Sequence, residues 1–440
     1  MSWDFETDPE WADQLAWVED FVRTECEPVD YVVKESHDLN DPVRQALIPP
    51  LQQIVKDRGL WATHLGPNLG GPGYGQMKLA LLNEILGRSE CAPIVFGSQA
   101  PDSGNSEILA HYGTPELKQR YLEPLLDNRI ISCFSMTEPQ GGADPKVFTT
   151  SAVQDGNHWI INGEKWYSSF ASSASFLIVM AVTDADAPPY QRHSMFVVPG
   201  ETPGINVLRD VGLGYQQLGD GGREGYVRYE NVRVPDDHML GPRGGAFVVA
   251  QTRLGGGRIH HAMRTVGLVR RIYDMICERA VSRYTQGEVL ANKQLVQEMI
   301  ADSWMEIEAF RLLTLQTAWK IDKYNDYKAV RADISAVKAM MQKVLHDVSA
   351  RALQIHGSLG TSHEMPFVQY LTESFVLGLA DGPTEVHKVT LARQLLKDVA
   401  AAPDVFPSEH LLRLRAAAEA KFADRLAGIS RSGVPSVESV

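Results

Sequence analysis

The spacing of apolar residues changes twice along this chain, which limits the folds that it can adopt. Up to about residue 130 the apolar side chains recur at helical intervals, as at Leu79, Leu82, Ile85 and Leu86. Between residues 131 and 241, short runs of β-branched and aromatic residues are separated by Gly, Pro, Asp and Asn, a pattern typical of strands and turns. Helical spacing then returns and marks one face of a long helix ending near residue 355, at Ile334, Val337, Met341, Val344 and Val348.

This order predicts an α+β multidomain chain. Its parts are an N-terminal α-helical domain at residues 1–130, a central β-domain at 131–241, a C-terminal α-helical bundle at 242–400, and a C-terminal helix and polar tail at 401–440. The last helix is expected at residues 408–428. A connection is expected at residues 66–75, which hold too many Gly and Pro residues to continue a helix.

The central region carries a specific turn signal at Asn162-Gly163, because this dipeptide accepts the positive φ angles of a tight hairpin turn. We therefore expect a hairpin with strands at residues 158–161 and 165–168, which places Trp166 on a strand. Further strands are predicted at residues 176–182, 194–198, 205–208 and 225–229.

Composition excludes several classes of protein. The 440 residues are 44% hydrophobic, enough for a large core, and their formal net charge of −13 makes nucleic-acid binding a poor default. Four dispersed cysteines argue against a disulfide scaffold, a redox dithiol or a zinc knuckle. The acidic N-terminus lacks a signal or transit pattern, and the longest central apolar run has seven residues, at 176–182. We expect a cytoplasmic protein without a membrane span.

Several motifs occur in a fixed order. Residues 131–145 read ISCFSMTEPQGGADP, a short apolar strand followed by a Met-Thr-Glu-Pro turn and a Gly-rich loop. GTPELK at 113–118, QIHG at 354–357 and DGPTEVHKVTLAR at 381–393 complete a pattern that resembles the acyl-CoA dehydrogenase superfamily over residues 10 to 400. QAPDSGN at 99–105 and RLGGGRIHHAMRTVG at 253–267 resemble its long-chain and branched-chain enzymes with an aspartate catalytic base. The resemblance implies a central β-barrel-like domain between an N-terminal α-helical domain and a C-terminal four-helix-bundle domain.

The resemblance implies an FAD-dependent enzyme that converts a fatty acyl-CoA into a trans-2-enoyl-CoA. A base removes the α-proton while a β-hydride passes to flavin N5, so the acyl chain must lie between the two. Asp381 matches the base, although Asp-Gly-Pro alone is most often a turn. A water-exposed Asp titrates near pH ~4, and we expect the bound acyl chain to expel water and raise this pKa. Some relatives carry the base just before an Arg that resembles Arg258, where this chain has Gly257.

The resemblance also implies a set of FAD-binding residues. Those expected to line the isoalloxazine ring are Phe134, Met136, Thr137, Trp166 and Ser168. Those expected near the pyrophosphate and adenosine, partly across a dimer interface, are Arg283, Gln294, Gln354 and Gly357. The remaining candidates are Gly142 and Ala143 in the Gly-rich loop, together with Gln286, Pro383 and Glu385. Gln286 replaces a residue that is usually aromatic, and Pro383 replaces a hydroxyl residue for which Thr384 could compensate.

Individually, these residues have ordinary explanations. Phe134 and Trp166 alone would be β-domain core, and Arg283 alone would be a surface ion pair. For the substrate, the resemblance implies Ala143, Arg258 and His261 near the thioester or pantetheine. No metal is expected at His260 and His261, because adjacent helical side chains point about 100° apart.

The implied partners are an acyl-CoA substrate, an electron-transfer flavoprotein, and further copies of the chain in a homodimer or homotetramer. The main alternative is a flavin-dependent nitroalkane oxidase-like enzyme, which shares the implied fold and also uses an aspartate base. Two further alternatives are a DNA-associated flavoprotein and a CoA-thioester or lipid carrier with a dead site. The negative net charge argues against the first of these and the usable carboxylate against the second.

Overall fold

A computed structural model describes residues 6–214, 216 and 222–429. The N-terminal part is helical, as predicted: α1 (Pro9–Phe21), α2 (Glu27–Val29), α3 (Pro42–Asp57), α4 (Gly75–Leu86), α5 (Ala92–Val95), α6 (Asp102–Tyr112), α7 (Pro115–Leu117) and α8 (Glu123–Leu126). Local sequence explains where helices begin. Asp8 caps α1 by accepting a hydrogen bond from the Trp11 backbone N–H, and Pro9 occupies the first helical position.

The central part is one curled seven-stranded sheet. Its strands are β1 (Ser132–Ser135), β2 (Ser151–Asp155), β3 (His158–Ser169), β4 (Phe176–Val182), β5 (His193–Pro199), β6 (Ile205–Val211) and β7 (Glu224–Pro235). The hydrogen-bonded order is β1-β4-β2-β3-β7-β6, and β5 pairs with the free edge of β4. β1 runs parallel to β4, and the other long pairings are antiparallel.

The predicted turn at Asn162-Gly163 is wrong. The hairpin turn lies at Gly156-Asn157, and β3 runs without a break through both predicted turn residues. Gly163 is instead needed for close approach, because an added Cβ would lie 2.5 Å from Thr150 Oγ1. The Asn162 side chain accepts a hydrogen bond from the Asn231 backbone N–H. The same Asn-Gly pattern thus serves a sheet irregularity instead of a turn.

The C-terminal part is helical again, interrupted by a small hairpin. It consists of α9 (Ala246–Ser282), β8 (Tyr284–Thr285), β9 (Glu288–Val289), α10 (Gln294–Tyr324), α11 (Arg331–His356), α12 (Phe367–Leu379), α13 (Thr384–Leu396), α14 (Leu411–Lys421) and α15 (Ala423–Leu426). Helices α9 to α12 form a four-helix bundle around one apolar core. The five apolar residues predicted on one face of α11 are all buried there.

The described residues from 392 to 429 belong to a second compact unit. Within it, the single helix predicted at residues 408–428 is divided at Phe422 into α14 and α15. The predicted polar tail lies outside the described residues beyond residue 429. Throughout the described part of the chain, the helices are too short or too polar to span a bilayer.

Candidate active site

Strand β1 presents one apolar face to a possible ligand. Its alternation leaves Phe134 and Met136 partly exposed, while Cys133 and Ser135 are fully buried on the other face. Behind the strand, the Ser135 hydroxyl lies 2.9 Å from Ser168 Oγ and 2.7 Å from the Tyr229 hydroxyl. This buried hydroxyl cluster links β1 to β3 and β7 behind the Phe134 face.

Trp166 is aimed by a local irregularity in β3. The register of β3 against β7 shifts between Lys165 and Ser168, and Tyr167 has a φ of 48°. Such bulges redirect side chains and are frequent beside active sites. The Trp166 backbone N–H donates to the Thr137 carbonyl at 3.0 Å, which joins two of the predicted flavin residues.

Ser168 differs from the other predicted ring contacts. Its side chain is fully buried and its hydroxyl is hydrogen bonded to Ser135, away from the Phe134 face. A cofactor on that face could reach only the backbone of Ser168.

The Met-Thr-Glu-Pro turn is held by a buried ion pair. Lys165 Nζ donates to Glu138 Oε1 and to the Met136 carbonyl, both at 2.8 Å. Glu138 also accepts from the backbone N–H groups of Thr149 and Thr150. Burial opposes ionisation of Glu138, but the Lys165 charge and these hydrogen bonds outweigh it and lower the pKa of Glu138 to about 2. The pair therefore shapes the turn that follows β1.

The Gly-rich loop after this turn is exposed at two of the predicted residues. Gly142 has a φ of 45° and open space where a side chain would be, and Ala143 is exposed beside it. Gly141 has a different reason to be glycine, since an added Cβ would lie 2.4 Å from the Phe148 ring.

Asp381 lies in the turn between α12 and α13 in a left-handed conformation with a φ of 55°. Aspartate is one of the few residues with a side chain that tolerates this region. Arg258 Nε donates to the Asp381 carbonyl at 2.9 Å, and the ring of His387 lies 3.3 Å from the same oxygen. The turn is further held by Lys338 of α11, which donates to the Leu377 carbonyl at the end of α12.

The Asp381 carboxylate faces basic side chains of α9. Arg253 Nη1 lies 4.0 Å from Oδ1, His261 Nε2 lies 3.8 Å from Oδ2, and the Asp381 side chain is 15% exposed. The Arg253 guanidinium also lies over the Phe134 ring, 4.1 Å from its centre. We call the surface formed by Phe134, Met136 and Trp166 the predicted flavin wall. Arg253 therefore lies against both the predicted base and this wall.

These surroundings alter our expectation for the pKa of Asp381. Burial raises that pKa, but neighbouring cationic groups reverse the shift and hold it below the ordinary value; the groups are His261, Arg253, Arg258 and Lys338. Because burial lowers the pKa of His261 itself to about 4, its ring is neutral at pH 7, and the arginines and lysine maintain the effect there. Asp381 is thus held ionised before any substrate binds, whereas the sequence suggested a water-exposed group near pH ~4.

Helix α9 is built from glycine where it passes the site. An added Cβ at Gly257 would lie 3.1 Å from Asp381 Oδ2, and one at Gly256 would lie 3.1 Å from Glu107 Oε2. Each interior helical glycine costs about 1 kcal/mol relative to alanine. The helix therefore gives up stability at the point where two carboxylates approach it.

The two adjacent histidines point in different directions. His261 faces Asp381, whereas the ring of His260 lies 3.2 Å from the Gln76 side-chain oxygen. Arg258 and His261, predicted near the substrate, both contact Asp381, which places them beside the predicted base.

The predicted residues for the far end of the cofactor lie on the protein surface. Arg283, Gln294, Gln354 and Gly357 are all exposed. Of the other cofactor candidates, Gln286 and Glu385 are also exposed, and Pro383 is half-buried. Gln286 forms the turn of the β8–β9 hairpin with a φ of 50°. The hydroxyl of Thr384, which could compensate for Pro383, donates to the Gln342 side chain at 2.6 Å and could contact a cofactor only as an acceptor.

Three residues that lie at or near Asp381 were not predicted from the sequence: Arg253, Lys338 and Asn105. One signal could have revealed Arg253. Gly257 is the position at which the resemblance places the base of some relatives. Arg253 precedes it by four residues on α9, so the two residues lie on the same face of the helix.

Comparison with known proteins covers all three parts of the chain. The family models for the N-terminal, middle and C-terminal domains of acyl-CoA dehydrogenase match residues 10–129, 133–232 and 244–396. "Probable acyl-CoA dehydrogenase FadE2" of Mycobacterium tuberculosis is 39% identical over 360 residues, covering 80% of this chain and 86% of that protein.

Some relatives are much longer. Chicken "Acyl-CoA dehydrogenase family member 11" is 38% identical over 379 residues, which is 85% of this chain and 48% of the relative. The rat protein of the same name is covered to 50%, so this chain spans about half the length of both.

Solved structures agree in fold. A structure of acyl-CoA dehydrogenase type from Mycobacterium abscessus has a TM-score of 0.82 and 37% identity, covering 90% of this chain and all of that one. Butyryl-CoA dehydrogenase from Megasphaera elsdenii, at 24% identity and a TM-score of 0.74, shares the fold and covers the same 90% of this chain. The predicted order of a helical domain, a β-barrel-like domain and a helical bundle is therefore confirmed. The chain belongs to the acyl-CoA dehydrogenase family, a family of flavoprotein oxidoreductases.

Proposed function

We propose that this chain uses FAD to convert a fatty acyl-CoA into a trans-2-enoyl-CoA, and that Asp381 removes the α-proton. The main support is the position of Arg253, which lies 4.0 Å from the Asp381 carboxylate and 4.1 Å from the centre of the Phe134 ring. A carboxylate and a partly exposed aromatic strand are thus brought to one place from distant parts of the chain. Desaturation requires such a pair, with a base at one side of the acyl chain and an acceptor surface at the other.

The residues present fit a flavin. Phe134, Met136 and Trp166 supply the partly exposed apolar surface that a planar ring requires, on a strand that is hydrogen bonded from behind. When bound, the flavin would supply the hydride acceptor and the route for electrons to an electron-transfer flavoprotein.

The chain's own residues would prepare the base. Arg253 keeps Asp381 ionised, Arg258 fixes its backbone carbonyl, and the 15% exposure of its side chain leaves little water for an acyl chain to displace. Removal of that water weakens the solvation of the carboxylate and strengthens it as a base. The α-proton would pass to the Asp381 carboxylate. Gly257 supports this assignment, since the other family position for the base carries no side chain here.

We further propose that the active form is a homodimer or a larger homo-oligomer. Arg283 follows Arg258 by 25 residues along α9, which is about 37 Å at 1.5 Å per residue. A cofactor bound beside Arg258 is therefore not expected to reach Arg283 of the same chain. The exposed Arg283, Gln294 and Gln354 would therefore bind the cofactor of a second copy.

The proposal is tested by anaerobic reduction of the purified yellow protein with acyl-CoAs from short to very long. We expect at least one acyl-CoA to bleach the flavin band within seconds. The nitroalkane oxidase-like alternative, which also uses an aspartate base, predicts bleaching by small nitroalkanes and none by acyl-CoAs. Bleaching by nitroalkanes alone would overturn the proposal in favour of this alternative.

A further inference from the structure

Arg253 is held by a buried chain of hydrogen bonds that does not include the predicted base. Its Nε donates to Asn105 Oδ1 at 2.9 Å, and Asn105 Nδ2 donates to Ser132 Oγ at 2.8 Å. Ser132 in turn donates to Asp102 Oδ1 from its hydroxyl at 2.5 Å and from its backbone N–H at 2.8 Å. Asn105 and Ser132 are fully buried and Asp102 is 4% exposed, so water does not compete for these bonds.

A second observation shows that α6 is shaped around this arginine. An added Cβ at Gly104 would lie 2.9 Å from Arg253 Cγ and 3.2 Å from its Nε. In the segment QAPDSGN at 99–105, Gly104 therefore leaves room for the Arg253 side chain, and Asn105 accepts its hydrogen bond. Asp102 contributes indirectly, because its carboxylate accepts from Ser132, which in turn accepts from Asn105.

The charges around the pair are distributed over several elements. Asp381 is faced by Arg253, Arg258, His261 and Arg264 of α9, Lys338 of α11 and His387 of α13. Arg253 is faced by Asp102 and Glu107 of α6, Cys133 of β1 and Asp381. An arginine with carboxylates on several sides could adopt more than one side-chain position. The hydrogen bond to Asn105 holds Arg253 in the position over the Phe134 ring and beside Asp381.

We propose that Asn105 is a positioning residue for dehydrogenation: it anchors Arg253 between Phe134 and Asp381 and thereby holds the carboxylate of the base in place. This inference rests on the proposed function, in which Asp381 is the base. Asn105 acts through Arg253, and it needs no contact with substrate or cofactor. The hydrogen bonds of Asn105 to Arg253 and Ser132 also link α6, α9 and β1 beside Asp381 and Phe134.

The test compares wild type with Asn105→Leu. Leucine has a similar volume to asparagine but cannot form a hydrogen bond with either Arg253 or Ser132. We expect the anaerobic rate of flavin reduction by acyl-CoA to fall about ten- to a hundredfold, because small displacements of reacting groups have effects of this size. We also expect the acid limb of kcat/KM to move up by about one pH unit, because a displaced Arg253 no longer favours the ionised carboxylate. Because acid unfolding of a destabilised variant would also move this limb, circular dichroism at each pH must show that the variant is folded over the range in which the limb is measured.

Gly104→Ala provides an independent second variant. It leaves Asn105 in place but displaces Arg253, so it should move the acid limb in the same direction. Ser103→Ala, on the same helix, is the matched control and should behave as wild type. The inference is overturned if Asn105→Leu and Gly104→Ala bind FAD and retain the wild-type acid limb, or if neither variant folds, which would make the network purely structural.

Wild type is measured in parallel so that two failures can be told apart. If no acyl-CoA reduces the wild-type flavin, the proposed function fails and this inference fails with it. If wild type is reduced and the variants have its rate and pH profile, the inference alone fails.

Discussion

Gly257 and Asp381 approach each other so closely that a Cβ on Gly257 would lie 3.1 Å from Asp381 Oδ2. The family resemblance implies these two positions as alternative places for a catalytic base, and here they lie side by side. The carboxylate from the α12–α13 turn occupies the space that a side chain from α9 would otherwise fill. The absence of a side chain at Gly257 is therefore required for the Asp381 carboxylate to lie at this point.

Gly257→Ala should separate stability from activity. Replacing an interior helical glycine should raise the free energy of unfolding by up to about 1 kcal/mol. The carboxylate of Asp381 must shift by a few tenths of an ångström, and we expect flavin reduction to slow about tenfold or more. Gly255→Ala is the control, since its Cβ would meet the Tyr327 ring at an ordinary 3.5 Å. A Gly257→Ala enzyme as fast as wild type would argue against close packing at the base.

Lys338 should give the reaction a pH dependence of its own. Burial lowers the pKa of Lys338 to about 8, so the side chain loses its charge as the pH rises through that value. Loss of this positive charge raises the pKa of Asp381 and makes it a stronger base. We therefore expect the rate of flavin reduction at saturating acyl-CoA to increase through pH 8.

In Lys338→Met the charge is absent at every pH, and the increase should disappear. Lys343→Met, on the same helix but 64% exposed, should keep it. Stopped-flow reduction across pH 6.5 to ~9.5 measures both, over the range in which a lysine with this shift titrates. An unchanged increase in Lys338→Met would assign it to another group.

The buried Lys165–Glu138 pair should be essential for the fold around β1. Lys165→Met leaves a buried carboxylate without its partner, which typically costs about 3–5 kcal/mol of unfolding free energy. Lys165→Met combined with Glu138→Gln should recover part of that loss. Equilibrium unfolding in denaturant measures both, and a single-variant loss below about 0.5 kcal/mol, the size of an ordinary surface effect, would contradict the prediction.

The same pair should make the wild type sensitive to acid. The pKa of Glu138 is about 2 in the folded protein and its ordinary value is 4.5, so this contribution to stability is complete above pH 4.5 and is lost between pH 4.5 and 2. Lys165→Met should show a smaller loss of stability over that range.

Two inactive variants should complement each other if the cofactor is shared between copies. Arg283→Ala weakens the binding of a neighbour's cofactor, and Asp381→Asn removes the base from the chain's own site. A heterodimer of these two chains contains one site with both defects and one intact site, so we expect co-expressed, doubly tagged heterodimers to regain activity. Heterodimers of Asp381→Asn with Asp381→Gly are the control and should stay inactive. If the heterodimers form but remain inactive, the result would contradict a cofactor site that is shared between two copies of the chain.

Much of the fold could be predicted because periodicity depends on local chemistry. The buried face of α11 from Ile334 to Val348 and the strand at Phe176–Val182 follow directly from apolar spacing. The turn at Asn162-Gly163 could not be judged in this way. Whether Gly163 serves a turn or the close approach of Thr150 depends on a strand that packs against it from elsewhere in the chain.

The candidate site likewise contains residues that could be predicted from the sequence and residues that could not. Phe134, Met136 and Trp166 lie near one another because they share one sheet, and the motif order was enough to propose them. Arg253 and Asn105 are separated by 148 positions and meet only through the packing of α6 on α9. No sequence period encodes such a contact, and consequently Arg253, one of the groups that lower the pKa of Asp381, was found only in the structure.

The most direct test of the account is the anaerobic reduction of Asp381→Asn by an acyl-CoA that bleaches the wild-type flavin. The amide preserves the size of the side chain and removes its basicity, so the variant should keep its FAD. We predict a rate of flavin reduction at least about a thousandfold lower, the scale of losing a general base. Bleaching at the wild-type rate would show that another group removes the α-proton and would contradict the assignment of Asp381.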